Sequence, residues 1–195
     1  MNKPRGRSLV FLLAPAVLGA ALGWYFAGPK TPPLPPRPPG GDFALVSADG
    51  PLTSRDLRGK VALLYFGYAK CPDICPTALG LITMAFNMLE ADELARVRAV
   101  FISVDPERDA PEKLKTYAAA FHPNVIGATA EPAVLAELAA RYGAAYRRTE
   151  VGSAFGYVVD HSSYTYVIGP DGRLVETLSH GTPPERIVQA MRRLL

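Results

Sequence analysis

Cys71 and Cys75, in Cys71-Pro-Asp-Ile-Cys75-Pro76, are the only two cysteines in 195 residues. The spacing is C-x3-C, one residue longer than the C-x2-C of dithiol oxidoreductases, and closely spaced cysteines mark either redox motifs or soft-metal sites. On a first helical turn, positions i and i+4 share a face, which lets both sulfurs point at one atom. Two thiolates meeting at one point suit a soft ion such as Cu(I). The same pair is equally able to close a disulfide, since Cα atoms at that spacing fall within the permitted separation of roughly 4.4–6.8 Å.

A two-sulfur metal site needs a further donor, and three histidines are available. His161 lies in Val158-Val-Asp-His-Ser-Ser-Tyr164, a polar break between two strand-like segments. From there an imidazole reaches across a sheet end toward a cysteine-bearing loop. A lone histidine at such a place ordinarily does no more than hydrogen-bond within a turn, and the thiol pair is what tips the reading toward a ligand. His122, after a helical stretch, reads as decorating a helix end, and His180 before Gly181 as an exposed loop residue. Asp105 follows an apolar strand and is positioned to hydrogen-bond near the ligands from outside the coordination set, although strand-end aspartates often only cap turns. Asp160 adjoins His161, and neighbours in an extended chain point to opposite faces, so it is not expected to orient the imidazole.

The elements that must hold these residues follow from pattern. Val61–Phe66 and Ala99–Val104 are continuous apolar runs, as for strands buried on both faces. From Pro76 to Glu90 apolar residues recur at helical spacing, with proline suited to a first turn. Asp42–Thr53 reads as a hairpin turning at Asp49-Gly50. Ala110–Phe121, Pro132–Tyr142 and Pro184–Leu195 read as helices; Tyr157–Val159, Tyr164–Ile168 and Leu174–Leu178 read as strands. This order fits an α/β, thioredoxin-like fold: a central mixed sheet flanked by helices, with the cysteines in a loop leaving a strand and entering a helix. Ligands of open α/β sheets bind at such strand ends, and a helix N-terminus stabilises thiolate.

The N-terminal part has a different character. Residues 1–7 carry three basic side chains and no acid, and Ser8–Gly28 is an uncharged, mostly apolar run of 21 residues. At about 1.5 Å per residue it spans about 31 Å, enough for a bilayer core, with the basic tail cytoplasmic and the remainder outside. A cleaved signal peptide has a shorter apolar region, about 7–15 residues. The length therefore favours an uncleaved transmembrane anchor. Residues 29–40 form a proline-rich linker, suited to extended polyproline II, and 41–195 has the size of one domain. The net charge of +3 is misleading, because five basic residues and no acids lie in the first forty. The near-neutral domain offers no footprint for nucleic acid.

Four stretches in order carry a family resemblance: Cys71–Pro76, Phe101-Ile-Ser-Val-Asp-Pro-Glu-Arg-Asp109, Phe121-His-Pro-Asn-Val-Ile-Gly127, and Asp160-His-Ser together with Gly169-Pro-Asp-Gly172. Over residues 42–195 the chain resembles the Sco/SenC family of copper-binding proteins. That resemblance implies a mononuclear copper site, Cu(I) or Cu(II), formed by Cys71, Cys75 and His161. It implies a membrane-anchored copper chaperone that delivers the ion to the dinuclear centre of cytochrome c oxidase subunit II. Other copper chaperones are further implied partners. The expected setting is a bacterial inner membrane crossed once, with the C-terminal domain periplasmic. Handing over an ion is not turnover, so enzymatic activity is not expected. The alternative is a membrane-tethered thiol–disulfide reductase using Cys71 and Cys75, which has no evident need for His161. A peroxide-reducing thiol enzyme lacks a separately placed resolving cysteine. The stretch 146–157 matches no motif.

Overall fold

The computed structural model describes residues 38–152 and 156–195. The expected cytoplasmic tail, the transmembrane anchor at 8–28 and nearly all of the proline-rich linker lie outside the described residues. Among the described residues no helix is long and apolar enough to cross a membrane.

Val61–Gly67 forms β3, with all seven residues buried. Burial on both faces explains the unbroken apolar run, since neither side of the pleat meets water. It pairs in parallel with β4 (Val97–Ser103), which pairs in parallel with β5 (Val125–Thr129). On the other side β3 meets β8 (Thr165–Ile168) antiparallel, and β8 meets β9 (Leu174–Leu178). The hairpin β1 (Ala44–Ser47) and β2 (Gly50–Thr53) closes the far edge against β5. The seven strands run β2-β1-β5-β4-β3-β8-β9, a mixed sheet with a parallel centre.

Helices cover both faces. The crossover from β3 to β4 is made by α1 (Ile74–Asn87) and a short α2 (Ala91–Ala95), that from β4 to β5 by α3 (Pro111–Ala119). On this face the Tyr65 and Phe101 rings stack and Phe101 meets Tyr117 of α3. The C-terminal helix α5 (Pro184–Arg192) packs on α1. Across the sheet α4 (Pro132–Tyr142) places Tyr142 against Phe66 and Tyr166. Alternation along β3 sends Tyr65 to one layer and Phe66 to the other, as the two-residue period of a strand requires. The thioredoxin-like arrangement expected from the element order is the one observed.

Four features differ from the expectation. The first helix begins at Ile74 rather than Pro76, so Cys75 lies within it while Cys71 precedes it in a turn closed by the Cys71 N–H on the Tyr68 carbonyl. The shared helical face therefore does not apply to Cys71. The helix α2 was not anticipated. Tyr146–Glu150 is a strand, β6, paired antiparallel with β7 (Tyr157–His161) in a separate two-stranded sheet. His161 is the last residue of β7 rather than part of a break between strands.

Candidate metal centre

The end of β3 delivers the chain to the site. Gly67 is its last residue, and a Cβ there would lie 2.7 Å from the Cys75 sulfur and 2.8 Å from the Phe101 ring. Glycine is the residue that leaves room for the sulfur. Tyr68-Ala-Lys70 then turns the chain to Cys71, and Pro76 sits in the first turn of α1, where its missing N–H leaves no helical bond unmade. Cys75 is wholly buried and Cys71 nearly so.

His161 arrives from the other sheet. Its Nδ1 lies 3.1 Å from the Ser162 carbonyl oxygen, which can only accept, so Nδ1 carries the proton and the lone pair is left at Nε2. That nitrogen faces the Cys75 sulfur at 3.2 Å. The ring stands edge-on to Tyr68 and to Tyr65, with centroids 5.9 and 6.1 Å away. Both sulfurs and one imidazole nitrogen lie within 4.8 Å of one another. Three residues drawn from a loop, a helix and a separate hairpin are thus positioned as a metal site.

The two sulfurs have unequal proton affinities. A hydrogen bond from the Cys75 thiol pulls Cys71 far below the usual thiol range, against the opposing effect of burial; the backbone N–H groups of Asp73 and Cys75 add to the lowering. Donating that bond pushes Cys75 up, and burial pushes it further. The site therefore starts with one thiolate in place and releases one more proton when a cation binds, as thiolate ligation requires. Two sulfurs and a neutral imidazole are a soft, nitrogen-containing set that fits copper in either common oxidation state. The residues fit the implied ion.

The remaining sequence candidates fall as follows. Asp105 is buried, and its carboxylate takes Arg108 Nε and, at 2.6 Å, the Tyr157 hydroxyl. Asp160 points away from the site to Arg147 and Thr149, as alternation predicts. His180 is exposed. His122 does follow the end of α3, but it is buried against Phe86, with Nδ1 accepting the Asn124 N–H at 3.0 Å. Asp109 was not singled out from the sequence. Its fully buried carboxylate accepts the Ala69 N–H at 2.7 Å and the Ser103 hydroxyl at 2.8 Å, holding the cysteine loop to the end of β4. The signal was a second aspartate four residues after Asp105, inside a stretch noted only for its resemblance.

Sheet, helix N-terminus and the Cys71, Cys75 and His161 cluster define a thioredoxin-like protein with two cysteines and one histidine positioned as a metal site. The family model described as SCO1/SenC matches residues 32–195, and the chain belongs to that family. It is 35% identical to Protein SCO2 homolog, mitochondrial, of Mus musculus, over 93% of this chain and 77% of that protein. It is 39% identical to the SCO2-like protein RP587 of Rickettsia prowazekii, over 70% of this chain and 67% of that one. Among solved structures, copper-bound ScoI of Bradyrhizobium japonicum matches at a TM-score of 0.72 with 34% identity, covering 80% of this chain and 99% of that one. Apo Sco1 of Thermus thermophilus matches at 0.73 with 38% identity, covering 83% and 94%. BsSco, described as a Sco-family cytochrome c oxidase assembly protein with a disulfide switch, matches at 0.64 with 27% identity, covering 83% and 95%.

Proposed function

We propose that this chain is a membrane-anchored copper chaperone that binds one copper ion through Cys71, Cys75 and His161 and passes it to subunit II of cytochrome c oxidase during assembly. The observation that carries this reading is the convergence of both sulfurs and Nε2 of His161 within 4.8 Å. A pure dithiol reductase would not need an imidazole delivered from a different sheet with its lone pair aimed at the sulfurs. Copper-bound relatives at 34% and 32% identity support the choice of ion. The apolar run at 8–28 would tether the domain outside a bacterial inner membrane. Cys71, held as thiolate and the less buried of the two sulfurs, is suited to be the first sulfur exchanged with an incoming ligand, and Cys75 to retain the ion until the recipient completes its own set. Other copper chaperones would load the site, and no turnover is implied.

The cysteines also support reversible disulfide formation, which would switch copper binding off by removing both thiolates. The test compares cells carrying His161→Ala with cells carrying Cys71→Ser. Copper delivery is expected to make both variants lose cytochrome oxidase activity to a similar degree, with partial rescue by added copper. Normal activity in the His161→Ala cells, beside a defect in Cys71→Ser cells, would overturn delivery in favour of thiol reduction.

A further inference from the structure

The strand that carries His161 belongs to the two-stranded sheet and not to the seven-stranded one whose strand β3 leads into the cysteine loop. What sets the distance between imidazole and sulfurs is therefore not a continuous ladder of backbone hydrogen bonds. Tyr157 and Val159, two apart on β7, present their backbone groups to the same side. Arg108 Nη1 donates to the Tyr157 carbonyl at 2.9 Å. The Tyr68 hydroxyl faces the Val159 backbone. Side chains from two loops thus take the place of a neighbouring strand.

Arg108 makes the larger part of this attachment. Its guanidinium lies 3.5 Å from the centre of the Tyr157 ring and 5.6 Å from that of Tyr68, the residue just ahead of the cysteine loop. Its Nε donates to Asp105, whose other oxygen accepts from the Tyr157 hydroxyl, closing a ring of three side chains. The Asp105 and Arg108 side chains are 3% and 14% exposed. A buried ion pair contributes little net stability compared with an apolar replacement. A planar, forked donor stacked on a ring does fix direction. The next residue, Asp109, faces the other half of the site and holds the Ala69 N–H two residues before Cys71.

We infer that Arg108 and Asp109 act as a pair of positioning residues, Arg108 setting His161 and Asp109 setting the cysteine loop. Two consecutive residues then fix the separation between nitrogen and sulfur ligands. This deepens the copper reading above and rests on it for the identity of the metal.

The test uses the full-length chain in detergent, as Arg108→Ala, Arg108→Lys and Asp109→Asn, with circular dichroism confirming the fold. Cu(II) loading is read by thiolate-to-copper charge-transfer absorption and by nitrogen hyperfine coupling in electron paramagnetic resonance. Arg108→Ala is expected to keep the sulfur charge-transfer band, lose the imidazole coupling and hold Cu(II) about 10- to 100-fold more weakly, the usual cost of removing support from a ligand. Arg108→Lys restores part of the coupling, because it keeps a donor without the fork. Asp109→Asn is expected to shift the sulfur band and leave the nitrogen coupling. Where Arg108→Ala fails to fold, Tyr157→Phe, which keeps the ring and loses the hydroxyl contacts to Asp105 and Glu107, is expected to weaken the nitrogen coupling alone. A common loss of both signals in all variants, or unchanged coupling in folded Arg108→Ala or Tyr157→Phe, would overturn the inference. A readout without metal keeps it separate from the copper reading. With only three histidines to assign, ring contacts of labelled His161 to Tyr65 and Tyr68 are measurable by nuclear Overhauser effects, and they should fade in Arg108→Ala. If wild type shows no copper–thiolate band, the copper reading fails while this contact test still decides the positioning.

Discussion

The Cys75 sulfur occupies the space in which a side chain at residue 67 would begin, 2.7 Å from the ideal Cβ position of Gly67. The last residue of the central strand is thereby tied to the most buried ligand, although backbone torsion places no demand for glycine there: Gly67 is not among the positive-φ positions. The constraint is purely one of room.

Gly67→Ala is therefore expected to push Cys75 out of line and to crowd Phe101, costing about 1–3 kcal/mol of stability as overpacking does. Copper affinity should fall although all three ligands are intact. Thermal unfolding and Cu(I) titration against a competing chelator measure the two effects. Unchanged affinity would show that the sulfur tolerates the displacement.

Cys71 and Cys75 are expected to differ in reactivity. The Cys71 thiolate is stabilised by the thiol of Cys75, so iodoacetamide should modify Cys71 first and continue to do so at mildly acidic pH, where a free cysteine of pKa about 8.5 is nearly inert. Mass spectrometry of the reduced, metal-free protein after short exposure gives the order. Equal labelling would contradict the shared-proton arrangement. Cys75→Ala, which removes the donor, is expected to move the Cys71 titration upward.

The two other histidines separate packing from ligation. His122→Ala should leave one copper per chain but lower stability by about 1–3 kcal/mol, because a buried ring and the acceptor for the Asn124 N–H are both lost. His180→Ala should change neither quantity. Metal analysis beside denaturant unfolding distinguishes the three histidines in one series.

Acid should expose the clasp between α2 and α5. Arg192, in a two-point pair with Glu93, and the Glu90 backbone N–H hold the Glu93 carboxyl down to about 2, from an ordinary 4.5. A depressed folded-state value means that the pair's contribution is present above pH 4.5 and is lost as pH falls toward 2. Melting temperatures across that window should fall more steeply for wild type than for Arg192→Ala, and the difference should shrink in high salt.

The central strands, the main helices and the convergence of Cys71, Cys75 and His161 were legible because each leaves a local mark. Seven buried residues of β3 read as one apolar run, and the two cysteines have no competitors in the chain. β6 was not legible. Tyr146-Arg-Arg-Thr-Glu150 carries no alternation of apolar and polar residues, since no position in it is fully buried, and it is a strand because β7 pairs with it. The same holds for the pieces that aim the ligands. Asp109 lies 40 residues from Ala69 and Arg108 lies 49 from Tyr157, and only the folded chain brings them together. Cys71 shows the limit of spacing rules: its partner sulfur was identified correctly, but a turn rather than a helix brings it there.

The pairing of Tyr146 with His161 at the end of the β6–β7 ladder makes this copper-site geometry a question of register. Side chains alternate along a strand, so sliding β7 by one residue exchanges everything on its two faces. Inserting one residue between Val158 and Val159 would present Asp160 to the sulfurs and turn the imidazole outward, converting a soft site into a harder one with its local fold preserved. Inserting two would restore the alternation but carry the imidazole two residues along the strand, leaving Val159 in its place. The register of this short strand thus decides which donor faces the sulfurs, and a one-residue slip in it would change the ligand set without altering either cysteine.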